Sequence, residues 1–121
     1  MKLYHFSDKK NLKIISPNYF GKNCYTNNDK NISNVKRAFY YDSKKPQEWL
    51  LNDAKYRYTI IIDKSKIYDL SKDKSNLIAK YNDIDKILRV LKKEYVGAKY
   101  NNGFECYIIF KELKTISKKA V

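Results

Sequence analysis

The chain carries one histidine, His5, inside the opening run Lys2-Leu3-Tyr4-His5-Phe6-Ser7. Strand alternation puts His5 on one face with Leu3 and puts Tyr4 and Phe6 on the other. An imidazole in that setting is either a half-buried structural group with a satisfied ring nitrogen or a hydrogen-bonding group turned towards a ligand. Glu105 is the second residue of interest, because it opens an otherwise apolar run, Cys106-Tyr107-Ile108-Ile109-Phe110. A carboxylate there either points into water or is drawn into a low-dielectric cleft, where its field on a nearby cation is strongest. The third feature is Phe39-Tyr40-Tyr41, in which Tyr40 faces away from its two neighbours. Core packing accounts for such rings, and so does a flat pocket for a heteroaromatic ligand. Cys24 and Cys106 are far apart, and with a single His they make no zinc set. They are expected to be free thiols in a reducing compartment.

Several elements must hold these residues. Lys2–Phe6 reads as a strand and Asp8–Phe20, with Pro17, as a loop; Gly21–Asn34 reads as a second loop. Arg37–Tyr41, Tyr56–Asp63 and Lys66–Leu70 read as strands from their β-branched and aromatic content. Ser43 is placed to cap a short helix with Pro46 in its first turn and Trp49 and Leu50 on its face. Asp83–Glu94 is the clearest helix: Ile84, Ile87, Leu88 and Leu91 form one apolar stripe, with Asn82 or Asp83 as cap and Gly97 closing it. Tyr95–Tyr100 and Phe104–Phe110 form a hairpin around Asn101-Asn102-Gly103. The second of these, apolar on both faces, reads as a central strand. Leu113–Ile116 adds one more strand. The fold class is α+β, strand-dominated, in a single domain over residues 1–121.

With 121 residues, 43% of them hydrophobic and 32% charged, the composition is globular, and a modest core is feasible without staples. No apolar run approaches the roughly 18 residues of a membrane span, and the start has no signal-peptide segment, so a soluble, cytoplasmic protein without membrane partners is expected. The net charge of +13 points first to a polyanion. The lysines, however, run from Lys2 to Lys119 as scattered pairs, and no zinc-finger or aromatic RNA-binding run accompanies them.

A lone His, an aromatic-rich strand and a late Glu, in that order, resemble the mono-ADP-ribosyltransferase family, in particular its small phage-encoded members. The segments are Leu3-Tyr4-His5-Phe6-Ser7, Arg37-Ala38-Phe39-Tyr40-Tyr41, Tyr58–Leu70, and Tyr95-Val96-Gly97-Ala98 followed by Glu105 to Phe110. The resemblance covers the chain from Lys2 to Phe110. It implies a split, mostly antiparallel sheet with NAD as co-substrate in the cleft. On that resemblance His5 hydrogen-bonds the adenosine ribose, and the backbone around Phe6 and Ser7 holds the nicotinamide carboxamide. Tyr40, or Tyr41, stacks on nicotinamide, and Trp49 closes the sandwich. Glu105 is the catalytic residue, binding the nicotinamide ribose and stabilising its oxocarbenium-like form. No metal is implied. Relatives often carry Gly where Phe6 stands. Gly103 occupies the position at which arginine-modifying members carry Glu or Gln, so the pattern is of the His-Tyr-Glu type.

The implied activity is transfer of ADP-ribose from NAD to a host or defence macromolecule, a protein more than a nucleic acid, as in phage effectors and inhibitors of the anti-CRISPR kind. The competing readings are a non-catalytic basic binding or inhibitor protein on the same scaffold and a small nucleic-acid-binding module. The same fold hosts RNA 2′-phosphotransferase chemistry, but the set of phosphate-gripping arginines is missing.

Overall fold

The apolar stripe of the sequence becomes a helix that covers one sheet face, and the strands on either side of it form the sheet it covers. The computed structural model describes residues 1–19, 33–46, 54–101 and 105–121. Strands β1 (Lys2–Ser7), β4 (Tyr56–Ile61) and β9 (Ser117–Ala120) form an antiparallel sheet with β4 in the middle. Strands β3 (Ala38–Tyr40), β7 (Glu105–Ile109), β6 (Gly97–Asn101) and β5 (Ile67–Asp69) form a second sheet in that order, parallel only at β5–β6. Strands β2 (Ile14–Ile15) and β8 (Leu113–Lys114) make a separate short ribbon. The two larger sheets meet at one antiparallel bridge, Tyr4 to Tyr41, with both backbone bonds at 2.8 Å.

Helix α1 (Leu77–Tyr81) and helix α2 (Ile84–Glu94) lie on one side of the four-stranded sheet. Ile87, Leu88 and Leu91 of α2 are buried against Tyr68, Ala98, Cys106 and Ile108, each apolar side chain contributing about 1.5–3 kcal/mol when removed from water. The opposite face forms a second core, in which Leu3, Tyr40, Tyr58, Ile60, Tyr107 and Ile109 pack with Ile15 from the ribbon.

The expected strands and the long helix are present, with ends shifted by a residue or two. The Asp83 carboxylate caps α2 by accepting from Asp85 N at 2.9 Å. Gly97 does not close the helix; Tyr95 is its cap residue and Gly97 begins β6. There the missing side chain matters, because a Cβ would stand 2.3 Å from Ile108 O and 2.6 Å from Ile109 Cδ1. The stretch expected to loop from Asp8 contains β2 and a 3-10 turn at Pro17–Tyr19. Helix α1 and strand β9 were not expected. Ser43 Oγ accepts from Lys45 N at 3.1 Å in a local turn. Most of the helix expected after it, Trp49 and Leu50 included, lies outside the described residues, as do Cys24, Asn102 and Gly103.

Candidate functional site

Pairing register lines up one row of side chains across both sheets. His5 pairs with Tyr58 on β4, and Tyr58 pairs with Lys118 on β9. In the other direction the Tyr4–Tyr41 bridge sets His5 beside Tyr40. The row then continues from Tyr40 to Tyr107, Lys99 and Asp69. Directly paired residues share a face, and Glu105, two residues before Tyr107, shares it too. His5 and Glu105 are therefore on the same side, separated by two strand spacings, roughly 10 Å, and one pleat repeat, roughly 7 Å.

The sheet splits beside His5. Ser7 O and Met1 O both accept from β4 or its extension, so alternate residues of β1 turn their backbone groups the other way, towards β3. Tyr4 uses that edge to bond Tyr41. Phe6 presents the same edge one step further on, and beyond Tyr4 no backbone bond joins β1 to β3 among the described residues. Phe39 O, which faces this gap, is instead met by His5 Nδ1 at 2.8 Å. A carbonyl only accepts, so Nδ1 carries the proton and the neutral ring leaves Nε2 as an acceptor. Burial of the partly covered ring lowers the His5 pKa below the ordinary imidazole value, and the bond to Phe39 O opposes that shift.

Tyr40 is fully buried, its ring 5.4 Å from that of His5 and tilted by 51°. No face of its ring is open to a ligand in this arrangement. Its hydroxyl is buried without a hydrogen-bond partner among the described residues, and desolvation pushes its pKa far up. Phe6 and Tyr41 stand together on the opposite face, rings 6.1 Å apart, so the Phe6 side chain does not crowd the His5 side and Tyr41 does not share it. Ser7 Oγ accepts from Lys9 N at 3.1 Å. Trp49 lies outside the described residues.

Glu105 is not drawn into the interior. Its side chain is 58% exposed and its Oε1 lies 3.0 Å from Lys99 Nζ, whose side chain is 26% exposed. The physical reason is position: as the first residue of β7 it sits at the open end of the row, diagonal to Lys99 across the hairpin. The carboxylate holds the Lys99 ammonium above its ordinary pKa. Sequence reasoning missed Lys99, Tyr58 and Tyr107, because only the register reveals them as neighbours of the row; the hairpin turn was the one signal that would have found Lys99.

Among the described residues no group of three or more His, Cys, Asp or Glu is placed to hold a metal ion, and no helix is long and apolar enough to cross a membrane. Comparison with protein-family models, curated proteins and solved structures returned no match.

Proposed function

We propose that the protein is an NAD-dependent mono-ADP-ribosyltransferase acting on a macromolecular acceptor, on an ADP-ribosyltransferase-like split sheet. The observation that carries this reading is the gap between β1 and β3. The Phe6 N–H and C=O face it side by side, a donor and an acceptor complementary to a primary carboxamide such as that of nicotinamide. His5 stands beside them with Nε2 free of the Phe39 bond, suited to accept from a ribose hydroxyl. Glu105 lies on the same face at the reach of the next sugar.

In this reading Phe6 anchors the leaving group and His5 orients the adenosine end. Glu105 accepts from the nicotinamide ribose and sets its negative charge against the positive charge that develops on the sugar. The glycosidic bond to nicotinamide breaks with its electron pair leaving on nicotinamide. The acceptor nucleophile then bonds the opposite face of the sugar and releases its proton. Lys99 pairs with Glu105, so in this reading the carboxylate exchanges that ion pair for ribose hydroxyls as NAD enters.

The second reading, a binding protein on this scaffold without catalysis, is favoured by the complete burial of Tyr40 and by that same Lys99 pair. Transfer of labelled ADP-ribose, together with NAD-dependent thermal stabilisation, separates the two. Glu105→Gln is expected to fold, keep NAD binding and lose about 10²-fold or more in transfer, the cost of removing one electrostatic stabiliser. Equal transfer by both proteins sinks the catalytic role, and absence of NAD stabilisation in the wild type sinks the NAD site.

A further inference from the structure

The ribbon of β2 and β8 forms a shallow groove lined by Lys13, Ile14, Lys114 and Thr115. Its two segments are tied together: Thr115 N bonds Lys13 O at 3.0 Å, Thr115 Oγ1 bonds Leu12 O at 2.9 Å, and Lys118 Nζ reaches Lys10 O at 2.8 Å. Residues 8–16 carry three lysines and one acidic residue, and residues 111–121 carry four lysines and one acidic residue. The two segments together thus bring seven lysines and two acidic residues to the strip formed by the ribbon and its flanks. Within it Ile14 and Ile116 are 46% and 55% exposed, large aliphatic side chains left in water beside cations. The strip also adjoins the candidate site. Tyr58, the β4 partner of His5, donates its hydroxyl to Lys9 O and accepts from Leu12 N at 3.2 Å.

We propose that the β2–β8 strip is a docking surface for an acidic, aliphatic segment of a protein partner. Charge complementarity selects an anionic partner. The choice of protein over nucleic acid comes from the side chains. The strip holds no arginine fork for phosphate or base edges. Of the two rings it touches, Tyr58 is buried and Tyr56 is covered by the Lys118 ammonium 5.3 Å from the ring centroid, so neither offers an exposed platform for base stacking. Exposed isoleucines add nothing to a phosphate backbone but reward an aliphatic side chain between two carboxylates. Identifying this partner with the acceptor of ADP-ribose rests on the transfer reading; the docking itself does not.

The test is fluorescence anisotropy at physiological salt with three labelled probes: a peptide alternating Glu and Val, a peptide alternating Glu and Ser, and single-stranded DNA. The Glu–Val peptide is expected to bind at least about tenfold more tightly than the other two. Lys13→Glu combined with Lys114→Glu should weaken it about tenfold or more, and Ile14→Ser should weaken the Glu–Val peptide alone. These residues are exposed, and circular dichroism verifies that the variants fold. Equal binding of all three probes with no effect of Ile14→Ser overturns the proposal in favour of an unselective polyanion surface. Tightest binding of DNA overturns it in favour of a nucleic-acid surface, and no binding overturns it outright. Binding is read without NAD, so its failure leaves the Glu105 test untouched, and failure of the transfer reading leaves the docking standing.

Discussion

Tyr40 carries a buried hydroxyl with no hydrogen-bond partner among the described residues. An unsatisfied buried hydroxyl costs about 1–3 kcal/mol, so Tyr40→Phe is expected to raise stability by about 1 kcal/mol in urea unfolding. If its ring only packs, NAD affinity stays unchanged; a loss of NAD affinity with a gain in stability would place the hydroxyl in ligand binding. His5 sets the pH response of the same spot. Its folded pKa lies below the unfolded value near 6.5, so the unfolded chain takes up the proton first as pH falls. Stability from this group is complete above about pH 6.5 and declines below it until the folded ring also protonates. Urea midpoints measured between pH 7.5 and 5 should fall with pH in the wild type and fall less in His5→Gln. Acid loss from Asp63, Asp69, Asp73 and Asp85, whose carboxyls are held below their ordinary value, belongs to a lower pH range.

Elements were legible where one local pattern decides them. The stripe of α2 and the two-sided apolar run of β7 needed only spacing, and both fall where the sequence puts them. Helix α1 was not legible because its N-terminal amides are held from four and five residues upstream: the Asp73 carboxylate accepts from Leu77 N at 2.9 Å and from Ile78 N at 3.0 Å. Strand β9 buries no side chain, so alternation has nothing to mark, and its lysines suit an edge. For the site, alternation separates Tyr40 from Tyr41 correctly, yet it tells which face a ring takes and not what covers that face. Gly97 shows the same limit, reading as a helix stop while serving a strand crossing. Gly97→Ala should therefore destabilise by about 1–3 kcal/mol, since the new methyl meets Ile108 backbone. Chemical denaturation checks this, and a neutral result would mean that β6 and β7 part without cost.

At the scale of the whole molecule, charge sets the response to salt. The chain holds 26 basic and 13 acidic residues, and the described residues form two side-chain ion pairs, Arg89–Asp85 and Lys99–Glu105. Repulsion within the net charge of +13 is strongest in the folded state, where it is held on one small surface, and is relieved when the chain expands. Screening shortens from about 10 Å at 0.1 M salt to about 3 Å at 1 M. Sodium chloride should therefore raise the melting temperature, by about 5 °C for each kcal/mol of repulsion removed. A fold held by exposed ion pairs would lose stability instead. Chloride is the salt to use, because sulfate stabilises folded proteins by exclusion whatever their charge. The docking strip predicts the opposite sign, since the same screening weakens attraction between its lysines and an acidic partner. One salt series, read by thermal unfolding and by anisotropy of the Glu–Val peptide, should show stability rising while affinity falls. A melting temperature that falls with salt would show that ion pairs outweigh repulsion. An affinity indifferent to salt would show that the isoleucines, and not the lysines, hold the peptide.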